Sequence, residues 1–241
     1  MYDISSFALS DMIQCSTTIR SLGKNATSME EVANRLVRYL YEHLHCASTG
    51  APVCALVRYY KTHPYGQLPA DLQSFASQLS NGQPLAAHVP CLTLLATAGT
   101  HPAWNRRSES VGHQTIPLPS AQVITQAPMI AQLIQQFGID VNVLVDTDST
   151  VMVDLAQKSY NVFYVPEAQG SSGVPAQDEF VIPYGIRSVL GFGGILPPKD
   201  LFAIIMFTTV PIPRDTADLF KTVALSAKTA VLPFTDGRVF A

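Results

Sequence analysis

The sequence predicts an α+β domain in which helices at both ends of the chain flank a central antiparallel sheet. Near both ends, apolar residues recur every three or four positions, as in amphipathic helices. Runs rich in β-branched and aromatic residues follow the first helices and precede the last one, which is typical of strands. Helical and loop patterns dominate about residues 66–177. We therefore expect a single domain, residues 1–241, with a large helical insertion between the early and the late strands.

Two helices are predicted before the first strand. The first carries a narrow apolar stripe that consists of Met12, Cys15, Ile19 and Leu22. Gly23 is suited to the left-handed backbone conformation that often ends a helix. A second helix begins at the capping box SMEE, residues 28–31, and is expected to reach His43 and His45 in its last turn.

The remaining elements are predicted from the same two periodicities. Strands are expected at 53–62, 91–99, 160–165, 187–196 and 201–210. Helices are expected at 68–79, 120–138, 148–159, 178–186 and 213–232. Pro128 should divide the second of these helices, because proline cannot continue the hydrogen-bond ladder of a helix.

The glycine cluster GFGG at 191–194 raises the question of a phosphate-binding loop. Such a loop needs G-x-G-x-x-G between a strand and a helix. Here the third glycine is absent, and Pro197-Pro198 leads into another apolar run. The sequence therefore predicts an antiparallel hairpin, in which residues 186–196 and 201–210 pair around Pro197-Pro198.

Composition argues against several classes of partner. The net charge is −3, the pI is near 6.0, and the chain has no run of lysine and arginine, so neither nucleic acid nor a membrane surface is expected as a partner. No apolar run approaches the about 18 residues of a membrane-spanning helix, and the N-terminus lacks a basic signal region. A cytoplasmic location is expected. Charged residues make up only 14% of the chain, which favours an additional buried surface such as a subunit interface.

Cysteines and histidines are the residues of this chain most suited to hold a metal ion or a haem. The four cysteines are scattered without a C-x-x-C pair, so reduced thiols are expected. In HLHC, residues 43–46, the two histidines would point about 200° apart on a helix, and no metal site is predicted. The sequence does not identify a cofactor. Haem with one axial histidine is an alternative, for which His101 and His113 are the candidate ligands.

The candidate ligand-binding residues lie in two segments. Four stand near the end of the first strand: Arg58, Tyr59, Lys61 and His63. Four more lie in the long polar loop at 100–120: Trp104, Arg106, Arg107 and His113. Arginine is a natural donor to carboxylate or phosphate, and an aromatic ring offers a stacking face. We therefore expect an anionic or aromatic small ligand in a cavity between the sheet and this loop, bordered by some of Tyr59, Lys61, Trp104 and His113. The alternative for Arg106 and Arg107 is a solvated surface.

Several segments resemble the input segment of bacterial sensor histidine kinases, a GAF domain related to PAS domains. They are ALVRYYKTHPYG (55–66), CLTLLATAG (91–99), GHQTIPLPS (112–120), PMIAQLIQQFG (128–138) and EFVIPYGIRSVLGFGG (179–194). The resemblance implies a central antiparallel sheet with terminal helices on one face, and a sensory role ahead of a kinase module. It supplies neither a ligand nor catalytic residues. This chain ends at LPFTDGRVFA, so we expect an isolated input domain or part of a longer protein, without kinase activity of its own.

The functional expectation is a signal-sensing input domain that binds a small molecule or a partner. Its state would be transmitted through a parallel homodimer of the terminal helices, and the stripe of the first helix would contribute to that interface. The alternatives are a small-molecule enzyme on the same scaffold and a ligand-free dimerisation module. No G-x-S-x-G motif or histidine phosphoacceptor box is present, so no catalytic residue is assigned.

Overall fold

A computed structural model describes residues 1–80, 83–145 and 161–241. Its helices are α1 (Leu9–Ser21), α2 (Met29–His43), α3 (Ala70–Leu79), α4 (Ala121–Thr125), α5 (Pro128–Gln136), α6 (Val141–Val145) and α7 (Arg214–Val231). Its strands are β1 (Tyr2–Asp3), β2 (Leu44–His45), β3 (Cys54–Pro64), β4 (Pro90–Gly99), β5 (Thr115–Pro117), β6 (Asn161–Val165), β7 (Ser188–Leu196) and β8 (Asp200–Thr208). The helix predicted at 148–159 lies outside the described residues.

A six-stranded sheet forms the centre of the molecule, with the strand order β5-β4-β3-β8-β7-β6. Every neighbouring pair in it is antiparallel. The predicted hairpin is confirmed, because β7 pairs with β8 from Ser188 opposite Thr208 to Leu196 opposite Asp200. Residues 66–177 contribute β4, β5 and β6 to this sheet in addition to α3–α6.

The glycine cluster lies inside β7, as predicted. A Cβ atom on Gly193 would stand only 2.1 Å from the carbonyl oxygen of Phe202 in the adjacent strand. Glycine is required there because the neighbouring backbone approaches too closely for a side chain. The cluster therefore serves strand packing, and the phosphate-loop interpretation is excluded.

Each face of the sheet is covered by a separate layer. On one face, α1, α2 and α7 bury a core that includes Leu36, Val57, Tyr59, Phe202 and Phe220. On the other face, the insertion buries a second core that includes Leu94, Phe137, Phe163, Val189 and Phe207. The α+β fold class is confirmed, and the N- and C-terminal helices lie together on one face of the sheet, as expected.

One prediction about the helices is confirmed and two are corrected. Pro128 divides the fourth predicted helix into α4 and α5, as expected. α2 ends at His43 rather than His45, because Leu44 takes an extended conformation and Leu44–His45 pairs in parallel with Tyr2–Asp3. At 178–186, where a helix was predicted, the chain forms a single turn of π-helix, Gln177–Val181. None of the helices in the described ranges combines the length and the hydropathy needed to cross a bilayer.

Candidate functional site

A buried ion pair lies at one edge of the sheet, on the face that α1, α2 and α7 cover. The Lys61 side chain on β3 is 2% exposed, and its ammonium group has three acceptors. They are Asp200 Oδ2 at 2.5 Å, the carbonyl of Thr62 at 3.0 Å and His63 Nε2 at 3.3 Å. Burial lowers the pKa of Lys61 and raises that of Asp200, while each charge opposes the shift of its partner. All three ammonium hydrogens are thus used inside the protein.

His63 completes this buried group. Its Nε2 faces the Lys61 ammonium and must accept a hydrogen bond, so the neutral ring carries its proton on Nδ1. No hydrogen-bond partner of Nδ1 is present among the described residues. Desolvation, with a contribution from the Lys61 charge, lowers the pKa of His63 to about 3. The imidazole is therefore held neutral in the folded protein.

The last residues of the chain, 238–241, form a strap over this edge. The carbonyls of Arg238 and Val239 accept hydrogen bonds from the first two amides of α2, those of Met29 (3.0 Å) and Glu30 (2.8 Å). These amides have no partner within their own helix, so the strap caps α2. The Ala241 amide donates to Glu30 Oε2 at 3.0 Å.

Phe240, the third residue of the strap, joins the buried ion pair to a second polar region. Its ring centre is 5.1 Å from that of His63 on one side. On the other side, the Arg107 guanidinium lies 5.8 Å from the ring centroid, within reach of a cation–π contact. The strap is therefore in contact with both regions at once.

That second region is an open groove of about 300 Å³ between α2 and the loop that follows β4. All of its lining residues are polar or charged: Glu30, Asn34 and Arg38 from α2, and Asn105, Arg106, Arg107 and Ser108 from the loop. One wall is a helix face and the other is a short loop segment. Each wall contributes at least one guanidinium group, and we refer to this cavity as the arginine groove.

The charges of the arginine groove are only partly compensated. Arg107 is 17% exposed and donates from Nε to Glu30 Oε1 at 3.1 Å. Arg106 is 75% exposed and reaches Glu109 at 3.2 Å, an ion pair in full contact with water. The Arg38 side chain makes a long hydrogen bond of 3.4 Å to the carbonyl of Asn105. The groove therefore retains donor capacity that the protein does not use.

Other predicted residues lie on the opposite face of the sheet. Arg58 donates to the Tyr60 hydroxyl at 3.1 Å and to Ser110 Oγ at 3.2 Å. Desolvation, followed by the nearby Arg58 charge, lowers the pKa of His113. Trp104 packs against Phe180 and Tyr184 in the second core, with ring centres 5.5 Å and 4.6 Å away.

The eight predicted residues are thus distributed over several places and not around one cavity. Lys61 and His63 belong to the buried ion pair, and Arg106 and Arg107 line the arginine groove. Arg58, Trp104 and His113 lie on the insertion side. Tyr59 is fully buried against Phe202, and its hydroxyl has no described hydrogen-bond partner. Because side chains alternate along β3, residues that are neighbours in the sequence lie on opposite faces of the sheet.

Sequence reasoning missed Arg38 and Asn34. The signal was present, because Glu30, Asn34 and Arg38 are spaced by four and share one face of a helix. Asp200 was missed too, because it lies in the turn just before the predicted strand 201–210. Within the ranges that the structure describes, no three His, Cys, Asp or Glu side chains cluster so as to hold a metal ion.

Comparisons with known proteins give distant structural likenesses only. No protein-family model and no curated protein matches the sequence. The photosensory core module of a Stigmatella aurantiaca phytochrome aligns over 94% of this chain with 10% identity and a TM-score of 0.41, and the chain spans 37% of its length. The phycoerythrobilin-bound GAF domain of a cyanobacterial phytochrome aligns over 92% of this chain and 97% of its own length, with 12% identity and a TM-score of 0.42. The chromophore-binding domain of an unusual bacteriophytochrome from R. palustris gives 8% identity and a TM-score of 0.39, over 93% of this chain and 61% of its own. Likenesses at this distance say nothing of the ligand, activity or partners of the present chain.

Proposed function

We propose that this chain is the cytoplasmic signal-sensing input domain of a bacterial two-component sensor histidine kinase. In this proposal a small molecule enters the arginine groove, and its presence is reported by the strap. The observation that carries the proposal is Glu30, whose carboxylate binds Arg107 of the groove through one oxygen and the Ala241 amide of the strap through the other. A ligand that draws Arg107 away from Glu30 alters the site on which the strap is docked.

The proposal assigns no catalysis to this chain. Three of its four cysteines are buried thiols whose pKa is raised by desolvation, to about 12 for Cys15 and Cys54 and about 11 for Cys91. A protonated, buried thiol is a poor nucleophile. Lys61 has no donor left for a substrate, because its ammonium hydrogens are shared among three protein acceptors.

The proposed output is a change in a parallel homodimer of the terminal helices. The stripe expected at that interface does not reach the surface, because Met12, Cys15 and Ile19 are buried in the core of their own subunit. α1 and α7 pack side by side, with Arg20 Nε donating to Ser226 Oγ at 3.1 Å. The apolar side chains that these helices expose are Leu9, Ile13 and Leu225. We therefore place the dimer contact on this outer surface, where a second copy would cover them.

Hydrogen–deuterium exchange tests the sensing step. The purified chain is compared with and without the ultrafiltered small-molecule fraction of a bacterial lysate, and native mass spectrometry reports whether a molecule is retained. We expect the exchange of the Met29 and Glu30 amides to change when a molecule binds, because the strap accepts their hydrogen bonds. A molecule that is retained without any change at these amides would contradict the proposal.

Light scattering tests the dimer. The wild-type chain should have the mass of a dimer at micromolar concentration, and Ile13→Asp should give a monomer. Val111→Asp is the matched control, because Val111 is also an exposed apolar residue, 95% against 55% for Ile13, but lies in the 100–120 loop. A wild-type monomer, or a dimer that Ile13→Asp leaves intact, would refute the terminal-helix interface. Ile19→Asp is unsuitable, because Ile19 is fully buried and its substitution would damage the core.

A further inference from the structure

We infer that the arginine groove binds a small dianion, a molecule with two carboxylates or a phosphate group. This inference rests on the proposed function, since it names the class of ligand for the same groove. Three guanidinium groups and one carboxylate, that of Glu30, line the groove, a charge of +2 for the lining alone; outside it, Glu109 pairs with Arg106 at 3.2 Å and Asp71 with Arg107 at 3.7 Å. A ligand with two negative charges would neutralise the charge of the lining, whereas a monoanion would neutralise only half.

The one acid of the lining cannot compete with such a ligand for the other arginines. Glu30 uses Oε1 for Arg107 and Oε2 for the Ala241 amide. The further acids near the groove, Asp71 and Glu109, are outside its lining, and their side chains are 65% and 43% exposed. Water-exposed ion pairs contribute little, typically about 0–1 kcal/mol, so Arg106 can exchange Glu109 for a ligand oxygen at small cost.

The unused donors stand on both walls. Arg38 projects from α2 and has a single long hydrogen bond, whereas the buried Arg107 Nη1 already lies 3.7 Å from Asp71 Oδ2. Arg106 comes from the loop wall. A guanidinium presents a fork of N–H donors that matches two oxygens of a carboxylate or phosphate. Donors on opposite walls fit a ligand whose acceptor oxygens point in more than one direction.

The groove has room for a small molecule. A volume of about 300 Å³ holds roughly ten water molecules, given about 30 Å³ for each in the liquid. The side chains of Asn34, Asn105 and Ser108 can bind hydroxyl or carbonyl groups on the remainder of the ligand. No apolar side chain lines the groove, so it does not suit a fatty or purely aromatic ligand.

Isothermal titration calorimetry at low ionic strength tests the inference with three probes: succinate, inorganic phosphate at pH 8 and acetate. We expect succinate, phosphate or both to bind at least about tenfold more tightly than acetate, since one more charge-assisted hydrogen bond is worth that factor. Binding of succinate alone would identify a dicarboxylate, and binding of phosphate alone a phosphate group. Equal or undetectable binding of all three would overturn the inference.

Variants show whether binding occurs in the groove. Arg38→Gln and Arg106→Gln should each weaken binding of the dianion by about tenfold. Arg214→Gln removes the same charge from an exposed position on α7 and should leave the affinity unchanged. An equal loss in all three variants would mean that only net charge matters, which also overturns the inference.

The same samples separate this inference from the proposed function. If a dianion binds and the Met29 and Glu30 amides exchange as before, the ligand class stands and the proposed transmission through the strap fails. If the lysate fraction changes their exchange while no dianion binds, the sensing proposal stands and the ligand class is wrong.

Discussion

The buried ion pair and the arginine groove are two basic regions, one on each side of Phe240, and they differ in how far their donors are satisfied. Lys61 is 2% exposed and shares its ammonium hydrogens among three protein acceptors. Arg106 is 75% exposed and has one partner, which is itself in water. A positively charged side chain therefore indicates a binding site only when some of its hydrogen-bond donors have no partner within the protein. On this criterion the groove can bind a ligand, and the buried pair is part of the structure.

The strongest test of this contrast is Asp200→Asn. The change removes the negative charge and leaves Lys61 in a buried site with only neutral acceptors. Loss of one partner of a buried pair costs about 3 kcal/mol or more, and we expect a decrease of that size in the free energy of unfolding measured with urea. A decrease below about 1 kcal/mol, the level of an exposed pair, would show that the two regions do not differ in the way described.

The second test is the pH dependence that His63 confers. Its pKa is about 3 in the folded protein, well below the value of about 6.5 in an unfolded chain, so the unfolded state binds the additional proton. Stability contributed by the neutral ring is therefore complete above about pH 6.5 and is lost at about 1.4 kcal/mol per pH unit as the pH falls towards 3.

Urea unfolding at several pH values between 7 and 4, with His63→Gln and His88→Gln, measures this slope. We expect His63→Gln to flatten the loss of stability on acidification. His88 is exposed, and His88→Gln should keep the wild-type slope. Identical slopes in the wild type and His63→Gln would show that water reaches the ring in the folded state.

The third test removes the Phe240 ring, which lies between the buried ion pair and the arginine groove. Phe240→Ala should lower the free energy of unfolding by about 1–2 kcal/mol, because the ring is half-buried and also contacts a guanidinium. It should also speed the exchange of the Met29 and Glu30 amides. Phe234→Ala, at another half-buried aromatic near the chain end, should not speed that exchange. Unchanged exchange in Phe240→Ala would mean that the strap is held by its backbone hydrogen bonds alone.

The smallest effect on the free energy of unfolding is expected when an arginine of the groove is replaced. Arg38→Gln and Arg106→Gln should change the free energy of unfolding by less than about 0.5 kcal/mol, because both side chains are exposed. Thermal unfolding without ligand measures this. A large loss in either variant would assign that arginine to the structure and remove it from the binding site.

The fold was more predictable than the site because its signals are local. The spacing of Val32, Leu36 and Leu40 predicts α2, and the two apolar runs around Pro197-Pro198 predict the hairpin; both were confirmed. The contacts of the site join distant residues, such as Lys61 with Asp200, which no periodicity can pair. One clue was available. Val57, Tyr59, Lys61 and His63 alternate on β3, so a buried face of the strand had to include two polar residues with partners elsewhere.

The hydrogen bonds between the strap and α2 have a kinetic consequence. They join residues about 210 positions apart, and closing a loop of that length costs about 5 kcal/mol of chain entropy if nothing else has folded. The strap is therefore expected to dock only after the sheet has brought the two segments together, and to detach before the rest of the molecule unfolds. Until it docks, the edge that holds Lys61 and His63 stays open to water. A folding intermediate that lacks only the strap would thus have a complete sheet and an ordinary, titratable histidine.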